Sequence, residues 1–302
     1  MEILAIHPGA LGDVILFGQF LQGLGGCVRL VAGREKGRLL HGLGVVAAAS
    51  DFESLPMHEL FRSADPEPNQ MAGLKDRLGH CDCLISCFAG DAPAARLRLI
   101  EITQAARAHF LPIRPPSNFP GHLVECWAQQ VNVPFAPPPH WQVPRTWQAL
   151  AREQISRAGV APGRKLFVIH PGAGAGSKCW PMDRFAELSR GLAQRHAVLW
   201  LVGPTELDWW GPEKIAALAG DAPLLSCPPV EVLAGVLAQC AGFVGNDSGP
   251  SHLAAAIGAK TVAIFGPTSP IHFAPRGQNV RVISAERLEN IAVEPVFDSL
   301  IA

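Results

Sequence analysis

GFVGNDSGPSHLAAAIGAKTVAIFGPTSP, running from Gly242 to Pro270, is the stretch that decides how this chain folds. Phe243 and Val244 read as a buried strand, Asn246 to Gly249 as a polar turn, Pro250 as the opening of a helix, and Thr261 to Phe265 as a second strand. A second turn follows over 266–270. Proline suits the first helical turn, where its missing N–H would have no partner, and Ser248 or Gly249 can cap just before it. The small residues Ala254, Ala255, Ala256 and Gly258 let this helix lie close to a sheet. Both strands are continuous apolar runs, as expected of parallel strands covered on both faces. The stretch is therefore one β-α-β unit. Ligands of such sheets bind at the carboxyl ends of the strands, and a helix N-terminus with unpaired N–H groups favours an anion, typically phosphate.

The same style extends in both directions. Upstream, strands are expected at 166–169, 198–202 and 224–225, with helices at 181–194, 206–218 and 230–238; downstream, a strand at 280–283 precedes a partly helical end. The first half repeats the alternation with strands at 3–6, 28–31, 45–48, 83–87 and 109–111, and with helices from Asp13, over 34–40, from Pro93 and over 120–130. Residues 50–79 read as polar and irregular, with only weak helical signals near Met57 to Arg62 and Met71 to Leu78. Alternating strands and helices argue for parallel α/β sheets. Val133 to Pro144 holds five prolines and no periodicity, which makes it the best boundary. Two domains are expected, 1–145 and 146–302, and Ile6-His7-Pro8-Gly9-Ala10 recurs as Ile169-His170-Pro171-Gly172-Ala173 after the first strand of each.

Composition narrows the function class. With 48% hydrophobic and 17% charged residues the chain is globular rather than disordered, and a net charge of −1 supplies no basic field for nucleic acid. The start, Met1-Glu2 and a four-residue apolar run, does not read as a signal peptide, and no apolar stretch approaches the roughly 18 residues of a spanning helix. A cytoplasmic protein is expected. Eight cysteines are too sparse for a disulfide scaffold; Cys81, Cys83 and Cys87 match no zinc spacing and are expected as buried thiols. Arg96, Arg98, Arg107 and Arg114 form a locally basic stretch, read as a solvated face or as contact with a membrane surface.

The two strand-to-helix turns differ in charge. Gly172 to Lys178 offers close backbone approach and a cation, but Ser177 replaces the last glycine of a phosphate loop and Cys179 its magnesium-binding hydroxyl, which argues against a nucleoside triphosphatase. Lys178 reads as a phosphate contact or a surface lysine. In the other turn, Gly12-Asp13 places a carboxylate where a dinucleotide-binding protein would put its pyrophosphate. Asp13 is thus either a helix N-cap or a general base. Asp247 has a similar ambiguity, capping residue or ligand contact. His252 is a buried hydrogen-bonded histidine or a phosphate ligand, Glu206 a ribose contact or part of a helix cap. A structural role ranks ahead of catalysis for His7 and His170.

Taken in order, Gly12-Asp13-Val14, the turn with Ser177, Lys178, Trp180 and Pro181, the block Gly245 to His252, and Gly266 to Pro270 resemble the successive motifs of the ADP-heptose:lipopolysaccharide heptosyltransferases, glycosyltransferase family nine. The resemblance implies a GT-B fold, two facing Rossmann-like domains with a cleft between them, the first binding acceptor and the second nucleotide sugar. It implies inverting, metal-independent transfer of heptose from ADP-heptose to a lipopolysaccharide inner-core acceptor, with no cofactor beyond the donor and a lipid-linked oligosaccharide as partner. Asp13 would be the base. Lys178, Ser177, Gly172, Glu206, Asp247, Ser248, Gly249 and His252 would meet the donor, and Gly12, Arg96 and Arg98 the acceptor. The expected location is cytoplasmic, peripheral on the inner face of the inner membrane. The alternatives are an inactive nucleotide-sugar-binding member and a transferase using another nucleotide sugar. His7-Pro8 departs from the family, whose members often carry a basic residue and small polar ones there.

Overall fold

The computed structural model describes residues 1–62, 68–135, 137 and 140–302. Residues 63–67 of the expected irregular stretch, and 136, 138 and 139 of the expected linker, lie outside the described residues. The chain divides into two compact units, 1–136 and 137–302. The segment before position 145 belongs with the second unit because the buried Trp141 donates its backbone N–H to Ala256 O at 2.9 Å.

The first unit runs β1 (Glu2–Ile6), α1 (Leu11–Gln22), β2 (Cys27–Ala32), α2 (Arg34–Gly42), β3 (Ala48–Asp51), α3 (Pro68–Leu78), β4 (Cys83–Ser86), α4 (Pro93–Thr103), β5 (Arg107–Phe110) and α5 (Leu123–Val131). Its five strands are parallel, in the order β3-β2-β1-β4-β5. Strand β3 begins at Ala48, not Val45: Val45 and Val46 are buried and pack, while the edge ladder uses the more exposed Ala48 to Asp51. Here burial and strand pairing fall on adjacent residues.

The second unit runs α6 (Arg145–Arg157), β6 (Leu166–His170), α7 (Met182–Ala193), β7 (Ala197–Val202), α8 (Pro204–Trp210), α9 (Pro212–Ala219), β8 (Leu224–Ser226), α10 (Val230–Leu237), β9 (Gly242–Asn246), α11 (Gly249–Ala256), β10 (Thr261–Phe265), α12 (Pro270–Phe273), β11 (Val280–Ser284) and α13 (Val293–Ile301). Its six strands are also parallel, ordered β11-β10-β9-β6-β7-β8. The single helix expected over 206–218 is two, α8 and α9. Gly211 adopts φ 73° between them and Pro212 starts the next helix, a combination that ends one helix and opens another.

Each sheet therefore has the doubly wound order, with one switch point where the winding reverses: between β1 and β4 in the first unit, between β6 and β9 in the second. Ligands of such sheets bind outside the strand carboxyl ends at that point. Strands at each switch are fully covered. Val168, Ile169, Phe243 and Val244 are buried on β6 and β9, and Ile3 to Ile6 on β1. The eight cysteines are free thiols, Cys81, Cys83, Cys87 and Cys126 among them buried. Among the described residues no helix is long and apolar enough to cross a membrane.

Candidate active site

In the second unit, the loop after β6 and the turn after β9 meet at the switch point. Lys178, the last residue of a short 3₁₀ turn over Gly176–Lys178, sends its Nζ to Asp247 Oδ2 at 2.8 Å. His252, on the first turns of α11, stands with Nε2 3.8 Å from the other Asp247 oxygen. Burial alone would raise the Asp247 pKa, but His252 and Lys178 outweigh it and bring it down to about 2. The carboxylate stays charged, as a buried acid does when a cation and hydrogen-bonding groups hold it. His252 is buried and its Nδ1 has no partner among the described residues.

A second cluster adjoins through His170 at the end of β6. Its Nδ1 lies 3.3 Å from Ser248 Oγ and its Nε2 3.7 Å from Glu206 Oε2. Glu206 is the third residue of α8 and accepts the Gly203 N–H at 2.5 Å, the reciprocal half of a capping box. Burial would raise its pKa; His170 and the backbone N–H groups win and lower it. Gly172 has to be glycine for this arrangement, since a Cβ there would lie 1.7 Å from Glu206 Oε1.

Asn246 holds the loops together, a role the sequence reading missed. It is fully buried at the end of β9, donates from Nδ2 to Pro171 O at 2.6 Å and Gly172 O at 3.2 Å, and accepts the Trp180 N–H at 2.9 Å. Its partners are backbone groups 66 to 75 positions away, so no local pattern reveals them. A buried polar residue amid apolar strand was the available signal. Ser251 Oγ in turn donates to Asn246 O at 2.6 Å. Ser248 is the N-cap residue of α11, without a side-chain cap bond, and Gly249 is the first helical residue. Ser177 is exposed beside Lys178. The strand ends thus bring together a cation, a helix N-terminus, the Asp247 carboxylate and the buried Glu206 carboxylate, a set that can hold a polyanion and sugar hydroxyls.

In the first unit, Ala10 is the N-cap residue of α1, Gly12 its second residue and Asp13 its third. Asp13 Oδ2 accepts the Ala10 N–H at 3.2 Å, so it caps from inside the helix rather than as the N-cap itself. A cavity of about 750 Å³ opens at the carboxyl ends of β4 and β5, lined among others by Cys87, Phe88, Arg96, Phe110 and Arg114. Burial chiefly, and then the Asp13 charge, push the Cys87 thiol up. Arg96 lies with its guanidinium 4.9 Å from the centre of the Phe110 ring, and its Nε is buried without a partner among the described residues. Arg98 instead donates to Leu60 O at 3.0 Å and Arg62 O at 2.6 Å.

Positions 124–295, more than half of the chain, match Glycosyltransferase family 9 (heptosyltransferase). The chain belongs to glycosyltransferase family 9. Among curated family 9 proteins it is similar to lipopolysaccharide heptosyltransferase 3 of Escherichia coli, 31% identical over 147 residues, 45% of this chain and 41% of that protein. The stretch shared with the curated relatives is thus about two-fifths of their length, as 40% coverage of a Campylobacter jejuni lipooligosaccharide heptosyltransferase 2 also shows. Among solved structures, E. coli ADP-heptose lps heptosyltransferase II superposes with a TM-score of 0.75 at 19% identity, over 100% of this chain and 98% of that one. E. coli heptosyltransferase WaaC with ADP superposes with a TM-score of 0.68 at 18% identity, over 99% and 98%. The two parallel α/β sheets are those of the GT-B fold of these family 9 enzymes.

Proposed function

We propose that this protein transfers heptose from ADP-heptose to a lipopolysaccharide inner-core acceptor, with inversion at the anomeric carbon and without a metal ion. The observation that carries the reading is the pairing of Lys178 with Asp247 across the second unit's switch point, 2.8 Å apart. In this reading the donor diphosphate lies against Lys178, Ser177 and the N-terminus of α11, with Gly172, Ser248 and Gly249 giving close backbone approach. Glu206 accepts from the ribose hydroxyls, while Asp247 and His252 flank the phosphate and sugar. Membership of family 9 supports the reaction class, and the ADP held by the similar WaaC structure supports the nucleotide.

Asp13 takes the proton from the acceptor hydroxyl. That oxygen bonds to the anomeric carbon from the face opposite the diphosphate, and the carbon–oxygen bond to phosphate breaks with its electron pair leaving on ADP. The departing negative charge is stabilised by Lys178 and the helix N-terminus, the positions where fixed charges act most strongly. Arg96 and Gly12 line the acceptor's approach. Arg98 sets the segment carrying Phe61 through its carbonyl bonds. The half-exposed Phe61 and Ile113, at 50% and 58%, with Arg114 beside them, suit peripheral contact with an anionic membrane surface on the cytoplasmic side.

Calorimetric titration with ADP, UDP and GDP, with and without magnesium, on the native protein and Lys178→Ala tests this. Metal-independent preference for ADP, weakened about tenfold or more by the substitution, is expected. A preference for another nucleotide, or binding that needs magnesium, would overturn the donor assignment.

A further inference from the structure

Two side chains of the first unit serve no role in this reading, yet both bond to Gly9 in the loop that leads into the helix of Asp13. His7 is 1% exposed, its ring 5.0 Å from that of Phe17 and edge-on to Trp127 at 6.2 Å. Its Nδ1 accepts the Gly9 N–H at 3.0 Å, so the proton of the neutral ring sits on Nε2. Burial first, and then the Lys36 charge, lower its pKa to about 4. His7 therefore brings no positive charge to the loop at neutral pH.

A positive charge reaches the loop from Lys36 instead. Its Nζ donates to Gly9 O at 2.7 Å. Lys36 is the third residue of α2, where the helix dipole disfavours a positive charge, and its chain folds back over the N-cap Gly33. A Cβ on Gly33 would lie 2.6 Å from Lys36 Cε and 2.9 Å from Nζ. Gly9 is equally constrained, with a Cβ there falling 2.5 Å from His7 Cε1 and 3.2 Å from Asp13 Oδ2. Three successive backbone groups are thus fixed: Gly9 N–H by His7, Gly9 C=O by Lys36, and Ala10 N–H by Asp13 itself.

We propose that His7 and Lys36 are positioning residues for Asp13, holding Gly9 by its N–H and its C=O, in two successive peptide groups, and placing a positive charge beside the loop. The proposal rests on Asp13 acting as the base. His7 supplies geometry and Lys36 supplies both geometry and charge, so the two are separable.

The test uses His7→Phe, which fills the aromatic pocket but accepts nothing, His7→Asn, which keeps an acceptor near Nδ1, and Lys36→Met against Lys36→Arg. Amide hydrogen exchange at Gly9 reads the grip without any substrate: protection should fall in His7→Phe and persist in His7→Asn. With ADP-heptose and acceptor, kcat should fall about ten- to hundredfold in His7→Phe and Lys36→Met, the scale of a misplaced catalytic group, with KM for the donor and ADP affinity unchanged. His7→Asn and Lys36→Arg should recover most of the rate. An unprotected Gly9 amide in the native protein overturns the grip. Full activity of His7→Phe and Lys36→Met while Asp13→Asn is dead overturns the positioning role but leaves the base intact; an active Asp13→Asn instead overturns the reading of Asp13.

Discussion

Asn246 donates its Nδ2 to the carbonyl of Pro171 at 2.6 Å, joining the end of β9 to the loop after β6 inside a fully buried site. Both sides of its amide are used, donor toward Pro171 and Gly172, acceptor toward Trp180.

Asn246→Asp keeps the shape and removes the donors, setting a carboxylate against two carbonyls. A loss of about 2–4 kcal/mol in urea unfolding is expected, the cost of leaving buried polar groups unpaired. A loss under about 1 kcal/mol would mean the loops hold themselves.

The Asp247 carboxyl gives stability a defined pH dependence. Its folded pKa of about 2 lies below an unfolded value of about 3.9. The stabilisation is present above the unfolded value and is lost as pH falls through about 4 toward 2, on the order of 2 kcal/mol. Urea midpoints followed across that window should fall less steeply for Asp247→Asn than for the native protein; parallel curves would show that the group contributes nothing there.

Gly172 and Glu206 should behave as one unit. Gly172→Ala must displace the Glu206 carboxylate and is expected to cost about 1–3 kcal/mol. In Gly172→Ala with Glu206→Ala, part of that cost should vanish. Strict additivity in the double-mutant cycle, within about 0.5 kcal/mol, would contradict the contact.

Arg96 and Arg98 are two positions apart and should separate cleanly. Arg98→Ala loses bonds to the Leu60 and Arg62 carbonyls and should lower stability by about 1–3 kcal/mol. Arg96→Ala should leave the melting temperature nearly unchanged and raise KM for the acceptor. The opposite pattern would exchange their roles.

The fold was legible where local chemistry and tertiary packing agree. In Gly242 to Pro270, apolar runs, a proline at the helix start and small packing residues all point one way, and β9, α11 and β10 follow. It was illegible where they diverge. Val45 and Val46 look like a strand because they are apolar, yet the ladder begins at Ala48. The split at Gly211 depends on a positive φ that composition does not disclose. At the site, Lys178, Asp247 and His252 are each legible one by one from residue type and turn position, but their convergence, and the whole role of Asn246, depend on contacts between residues about 70 positions apart. The capping geometry of Asp13 was half visible: its type suits a helix start, but its place at the third position belongs to the backbone path.

The five-residue echo carries a last consequence. Ile6 to Ala10 and Ile169 to Ala173 spell the same word, yet the first imidazole turns inward against Phe17 and bonds its own loop, while the second faces Ser248 and Glu206. Exchanging one pentapeptide for the other would change no letter of the protein, so whatever distinguishes the two loops is written entirely in their neighbours. Redesign of either loop should begin with the residues that surround it.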